Sequence, residues 1–111
     1  MSVQLRNDPQ EEEQLISVRN IVLNRENHQV FKDDLEVHHT KREFDLFEYL
    51  LQKKGKVCER IEIIQQVWNI YFDYDTSIID VYINGLRKKL DLGEQENHIQ
   101  TIRGVGYIVK D

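Results

Sequence analysis

Two glycines one residue apart, Gly104 and Gly106, are the first candidates for ligand chemistry, because a G-x-G turn lets backbone N–H groups approach a phosphate. A dinucleotide site needs that turn between a strand and a following helix. Only five residues follow Gly106, so no cofactor is expected. His38 and His39 are adjacent, which in a strand sends their rings to opposite faces. With no cysteine pair and no H-x-x-x-H spacing, no metal site is expected either. Glu11, Glu12 and Glu13 form a solvated run, and nothing beside Asp73 and Asp75 would bury one carboxylate and split their pKa values. No nucleophile, base and orienting group can be assembled, so an enzyme is not expected. The single cysteine, Cys58, reads as a small, half-buried apolar residue.

What remains is a group of cations, Arg87, Lys88 and Lys89, with Arg103 further on. The formal net charge of −5 argues at first against a nucleic-acid partner, since phosphate binding draws on clustered Lys and Arg. The acid is unevenly placed, however. Residues 1–36 hold four basic and eight acidic side chains (4 − 8 = −4), and residues 37–111 hold eleven and twelve (11 − 12 = −1). The local field governs a partner's approach, and the four cations lie in the nearly neutral part. Taken alone, Arg87, Lys88 and Lys89 can equally be the C-terminal cations that favour any helix dipole.

The elements that must position these residues follow from periodicity. At 111 residues the chain has room for one small domain. It has no apolar run of the roughly 18 residues that a membrane span needs and no basic-then-apolar leader, so a cytoplasmic protein is expected. The lone cysteine fits a reducing compartment. The opening "MSVQLRNDPQEEEQ", residues 1–14, is polar and aperiodic and reads as a mobile linker or tail. Short β-rich pieces at 15–18, 21–23, 29–31 and 35–37, separated by turn-rich "RN", "NRENH" and "KDD", predict an antiparallel meander.

Thr40 followed by Glu43 matches a capping box and opens a first helix with Phe44, Phe47, Leu50 and Leu51 as its apolar stripe and Gly55 as its left-handed stop. A second helix is predicted over "ERIEIIQQVW". "NIYFDYDT" reads as a loop, and a third helix follows over 77–91. Inside the third, "DVYINGLRKKL" holds Asn-Gly, the strongest short hairpin signal. Yet Ile79, Ile83, Leu86 and Leu90 recur at i, i+4, i+7 and i+11, one face of a helix. The spacing predicts a helix, in which Gly85 is unfavourable by about 1 kcal/mol relative to alanine. The C-terminal "HIQTIRGVGYIV" predicts a hairpin with arms at 99–103 and 107–109 and a turn at Gly104-Val105-Gly106.

The expected fold class is therefore α+β, a winged helix-turn-helix with a four-stranded N-terminal antiparallel sheet, three helices and a C-terminal β-hairpin wing. A helix about 10–12 Å across matches the major groove of duplex DNA, about 12 Å wide. Arg103 at the hairpin tip would reach an adjacent minor groove.

Four segments in this order and spacing carry a family resemblance: "TKREFDLFEYLLQKKGKV", "QQVW", "IIDVYINGLRKKL" and "QTIRGVGYIV". From about Leu15 to Val109 the chain resembles the OmpR/PhoB-type effector domain of two-component response regulators. The resemblance makes 15–111 the effector domain and 77–91 the recognition helix, with the wing around Arg103 to Gly106. It implies sequence-specific binding to double-stranded DNA and control of transcription. Ser77, Val81, Asn84, Gly85, Arg87 and Lys88 would face the major groove, and Trp68, Thr101, Arg103 and Tyr107 would hold phosphates or the minor groove.

The loop residues Tyr71, Phe72, Asp73, Tyr74 and Asp75 would meet RNA polymerase. A receiver domain under a sensor kinase would precede the effector in a parent chain, which leaves open whether this chain is a cut-out domain or complete; the isolated domain would be monomeric and form a tandem dimer on DNA. The sequence departs from the family where Asn84 and Gly85 replace two frequent arginines, and where Ser77 replaces a third. His39 stands for a usual leucine and Glu59 for a better N-cap, which bears on stability. The lost arginines leave open a second reading, a protein-interaction module with the same fold and weakened DNA binding.

Overall fold

The structure, a computed structural model, describes residues 14–72, 75–90 and 98–110. The expected tail, apart from Gln14, lies outside the described residues, as do Asp73, Tyr74 and the expected helix end at Asp91.

Four short strands, β1 (Leu15–Val18), β2 (Ile21–Asn24), β3 (Gln29–Lys32) and β4 (Leu35–Val37), form an antiparallel sheet in sequential order. The turn chemistry is local. Asp33 and Asp34 both take positive φ (52° and 67°), the backbone that a tight two-residue hairpin requires and that aspartate tolerates. Ile16, Leu23, Val30 and Val37 stand in register across the four strands and face the core.

Three helices follow, α1 (Lys41–Gln52), α2 (Arg60–Trp68) and α3 (Ser77–Lys89). The capping box of α1 is formed: the Glu43 N–H donates to Thr40 Oγ1 at 3.2 Å, and the Thr40 N–H donates to Glu43 Oε1 at 2.8 Å. Phe44, Phe47, Leu50 and Leu51 are buried as the stripe predicts, joined by Leu46. Gly55 holds φ +89° just past the helix. The α2 helix begins one residue later than the sequence suggests. Its N-terminus is closed by Glu62, whose carboxylate accepts the Glu59 N–H at 3.1 Å. Asn69 at φ 58° ends it in the left-handed conformation.

A second sheet, ordered β5-β7-β6, is built from β5 (Cys58–Glu59), β6 (Ile99–Ile102) and β7 (Gly106–Val109). The two-residue β5 is invisible to periodicity and exists because β7 pairs with it, Cys58 opposite Tyr107 and Glu59 opposite Gly106. The hairpin turn is Arg103-Gly104-Val105, not Gly104-Val105-Gly106 as the glycines suggest. Gly104 supplies φ +74°, whereas Gly106 lies inside β7 and is needed for closeness: a Cβ there would stand 1.9 Å from the Cys58 carbonyl oxygen. Cys58 is fully buried rather than half-buried, and burial pushes its thiol up to about 11. His38 and His39 follow β4 rather than lying in it. No helix among the described residues is long and apolar enough to cross a membrane.

Candidate nucleic-acid interface

The α3 helix turns four distinct faces to four environments. Ile79, Ile83 and Leu86 are buried in the core, with Leu90 beyond them, as their spacing requires. A quarter turn away, Asp80 and Arg87 face the C-terminal sheet. On the opposite flank, Ile78 and Tyr82 pack against the core edge while Gly85 and Lys89 meet α1. The fourth face, Ser77, Val81, Asn84 and Lys88 at i, i+4, i+7 and i+11, is exposed along its whole length. It carries no carboxylate, although the chain as a whole is acidic.

The sheet-facing side is a network. Arg60 at the start of α2 donates to Asp80 Oδ1 at 2.9 Å and more weakly to the Tyr107 hydroxyl at 3.4 Å. The Tyr107 hydroxyl donates to the same Asp80 oxygen. Burial first, and then this bond to Asp80, raise the Tyr107 pKa, while the Asp80 bond also raises that of Arg60. Arg87 donates to the Ile99 carbonyl at 2.8 Å and to Thr101 Oγ1 at 2.9 Å, with its guanidinium 5.8 Å from the centre of the Tyr107 ring. Two cations thus flank one tyrosine, and α2, α3, β6 and β7 are tied together at that point.

Against this frame the ten expected DNA-facing residues divide. Ser77, Val81, Asn84 and Lys88 share the exposed face, and Thr101 and Arg103 are exposed on the hairpin. Arg103 makes no ion pair with another described residue and stands in the turn. Arg87 is half-buried and engaged with β6, so it sets the distance between helix and hairpin. Tyr107 is 3% exposed with its hydroxyl occupied by Asp80, and Trp68 is half-buried, edge-on to Tyr82 with the Arg42 guanidinium over its ring.

Gly85 does not line the exposed face. A Cβ on it would come 3.2 Å from Glu43 Oε2, so the glycine leaves room for a buried carboxylate of α1. Glu43 in turn accepts Lys89 Nζ at 2.7 Å. Gly85→Ala is therefore expected to show coupling. In a Glu43→Ala background it should add about 0.5–1 kcal/mol, the normal gain for an unstrained helical glycine. With Glu43 present most of that gain should vanish. Chemical denaturation of the two single variants and the double variant measures this, and equal effects in both backgrounds would mean the contact is unimportant.

Of the expected polymerase-facing residues, Tyr71 and Phe72 are 58% and 77% exposed. Asp75 lies just before α3: its Oδ1 accepts the Ser77 N–H at 3.0 Å, and that bond holds the carboxylate below its usual range. Arg60 and Asp80 were missed by the sequence reading. Their only sequence signal is that Asp80 and Arg87 recur at i and i+7, off the apolar stripe. Among the described residues no group of three or more His, Cys, Asp or Glu could hold a metal ion.

Comparison with known proteins identifies the family and the fold. Residues 34–109 match the family described as "Transcriptional regulatory protein, C terminal". The chain is 43% identical over 88 residues to the uncharacterized transcriptional regulatory protein YkoG of Bacillus subtilis (strain 168), covering 79% of this chain and 39% of that protein. It is 35% identical over 106 residues to the response regulator ArlR of Staphylococcus aureus (strain Mu50), covering 96% and 48%. The chain thus spans less than half the length of either relative. Among solved structures, the RstA DNA-binding domain of Klebsiella pneumoniae in complex with the RstA box superposes with a TM-score of 0.78 at 28% identity. The match covers 86% of this chain and 96% of that one.

Proposed function

Because the chain belongs to the transcriptional regulatory protein C-terminal family, the OmpR/PhoB-type effectors of response regulators, we propose that it binds duplex DNA through α3 in the major groove and the β6–β7 hairpin in an adjacent minor groove. The observation that carries this reading is the exposed, carboxylate-free face of Ser77, Val81, Asn84 and Lys88, held at a set distance from Arg103 by the Arg87 bonds to β6. Lys88 and Arg103 supply the phosphate and minor-groove attraction. Arg87, Tyr107, Asp80 and Arg60 position the two elements and make no direct contact with DNA. In a parent chain the domain follows a receiver controlled by a sensor kinase. It is a monomer when free and a tandem dimer on DNA, and the exposed Tyr71 and Phe72 meet RNA polymerase.

Mobility shift with promoter fragments at about 50 and 200 mM salt tests the reading. Binding should weaken steeply with salt, and Arg103→Ala should reduce the salt slope by about one unit across all sequences. If specific DNA binds no better than random DNA at either salt and Arg103→Ala changes nothing, the domain is not a DNA reader.

A further inference from the structure

Resting on the DNA-binding reading above, we infer that the centre of this domain's half-site is A·T, with Val81 seated on a thymine methyl and Asn84 paired with the adenine of a neighbouring base pair. Val81 is 67% exposed, the most exposed large apolar side chain in any described helix. An isolated apolar residue on the surface is ordinary in itself. This one sits in the middle of the face that enters the groove, between Ser77 and Asn84. The thymine C5-methyl is the apolar group that the major groove offers it.

Asn84 lies three residues further along the helix, a rise of about 4.5 Å, close to the roughly 3.4 Å between successive base pairs. Its amide can donate to N7 and accept from N6 of adenine, the bidentate pairing characteristic of asparagine. The two residues between them, Tyr82 and Ile83, pack against the core and not into the groove. The arginine nearest to them in sequence, Arg87, has its guanidinium fixed on the Ile99 carbonyl and Thr101 hydroxyl, a quarter turn from the exposed face. Lys88, one turn beyond Asn84, is left to position the helix on the backbone.

The test uses the 111-residue chain and a random duplex library. Selection should enrich a half-site with two adjacent A·T pairs. On that site, replacing the contacted thymine by uracil removes one methyl and should weaken binding about 3- to 4-fold. Replacing the adenine by 7-deazaadenine removes the N7 acceptor and should weaken binding about 5-fold or more. Val81→Ala should abolish sensitivity to uracil alone, and Asn84→Ala sensitivity to 7-deazaadenine alone. Both side chains are exposed, so both variants should retain wild-type circular dichroism and melting. Enrichment of G·C at these positions, or penalties that persist in the variants, would overturn the inference while leaving the domain a DNA reader. Absence of any enriched site together with absence of salt-dependent binding would remove the DNA reading itself.

Discussion

Gly106→Ala is expected to destabilise the domain by about 3 kcal/mol or more, because overpacking that meets backbone cannot be relieved by a rotamer change. The added methyl would lie 1.9 Å from the Cys58 carbonyl oxygen and 2.9 Å from its carbonyl carbon. Only separation of β7 from β5 makes room, and that separation also pulls Tyr107 away from Arg60 and Asp80. Against a total stability of about 5–15 kcal/mol the loss is large, and the melting temperature should fall by about 10 °C or more. Gly104→Ala is the control. Nothing lies within 4 Å of its Cβ position, so only the left-handed φ of +74° is penalised, at about 1–2 kcal/mol. Thermal melts that rank Gly104→Ala as the more damaging of the two would show that β5 and β7 do not approach so closely.

Removing the Glu43 carboxylate should have the next largest effect. Glu43 is buried, and burial resists its ionisation. The Lys89 bond, the Thr40 N–H and the charge of Lys89 outweigh that resistance and hold its pKa below the usual carboxylate value. Glu43→Ala loses the carboxylate half of the α1 capping box, the bond from the Thr40 N–H, and the charged tie to α3, together about 2–3 kcal/mol. Lys89 remains 39% exposed and can turn to water, which keeps the loss below the roughly 3–5 kcal/mol of a fully buried broken pair.

Since the folded pKa is depressed, the stabilisation is fully present above the unfolded value of about 4.3 and disappears as pH falls through the folded value. Denaturation midpoints between pH 7 and pH 3 should therefore decline less steeply in Glu43→Gln than in the wild type. Parallel declines would show that Glu43 is not an acid-sensitive tie.

Much of this molecule is written locally. The capping box at Thr40 and Glu43 is a relation across three residues. The register of the first sheet follows from two-residue turns at 19–20 and 33–34, a four-residue turn at 25–28, and alternation. In α3 the apolar spacing prevailed over the Asn-Gly hairpin signal because burying three or four aliphatic side chains is worth several times the roughly 1 kcal/mol that the helical glycine loses. The same spacing puts Ser77, Val81, Asn84 and Lys88 opposite the core, whereas the resemblance had set Gly85 and Arg87 beside them on the groove face.

What tertiary structure alone decided is the meaning of the residues between those two faces. Gly85 looked like a groove residue and is a seat for Glu43, 42 residues earlier in the chain. Gly106 looked like a turn residue and is the close contact of β7 with Cys58. Arg87 was expected to face the major groove and is a strut to Ile99 and Thr101. The division has one physical reason. Periodicity and capping act over a few residues, where sequence separation determines spatial separation. A side chain's hydrogen-bond partner and the space open to its Cβ depend on chain segments that only the fold brings within reach.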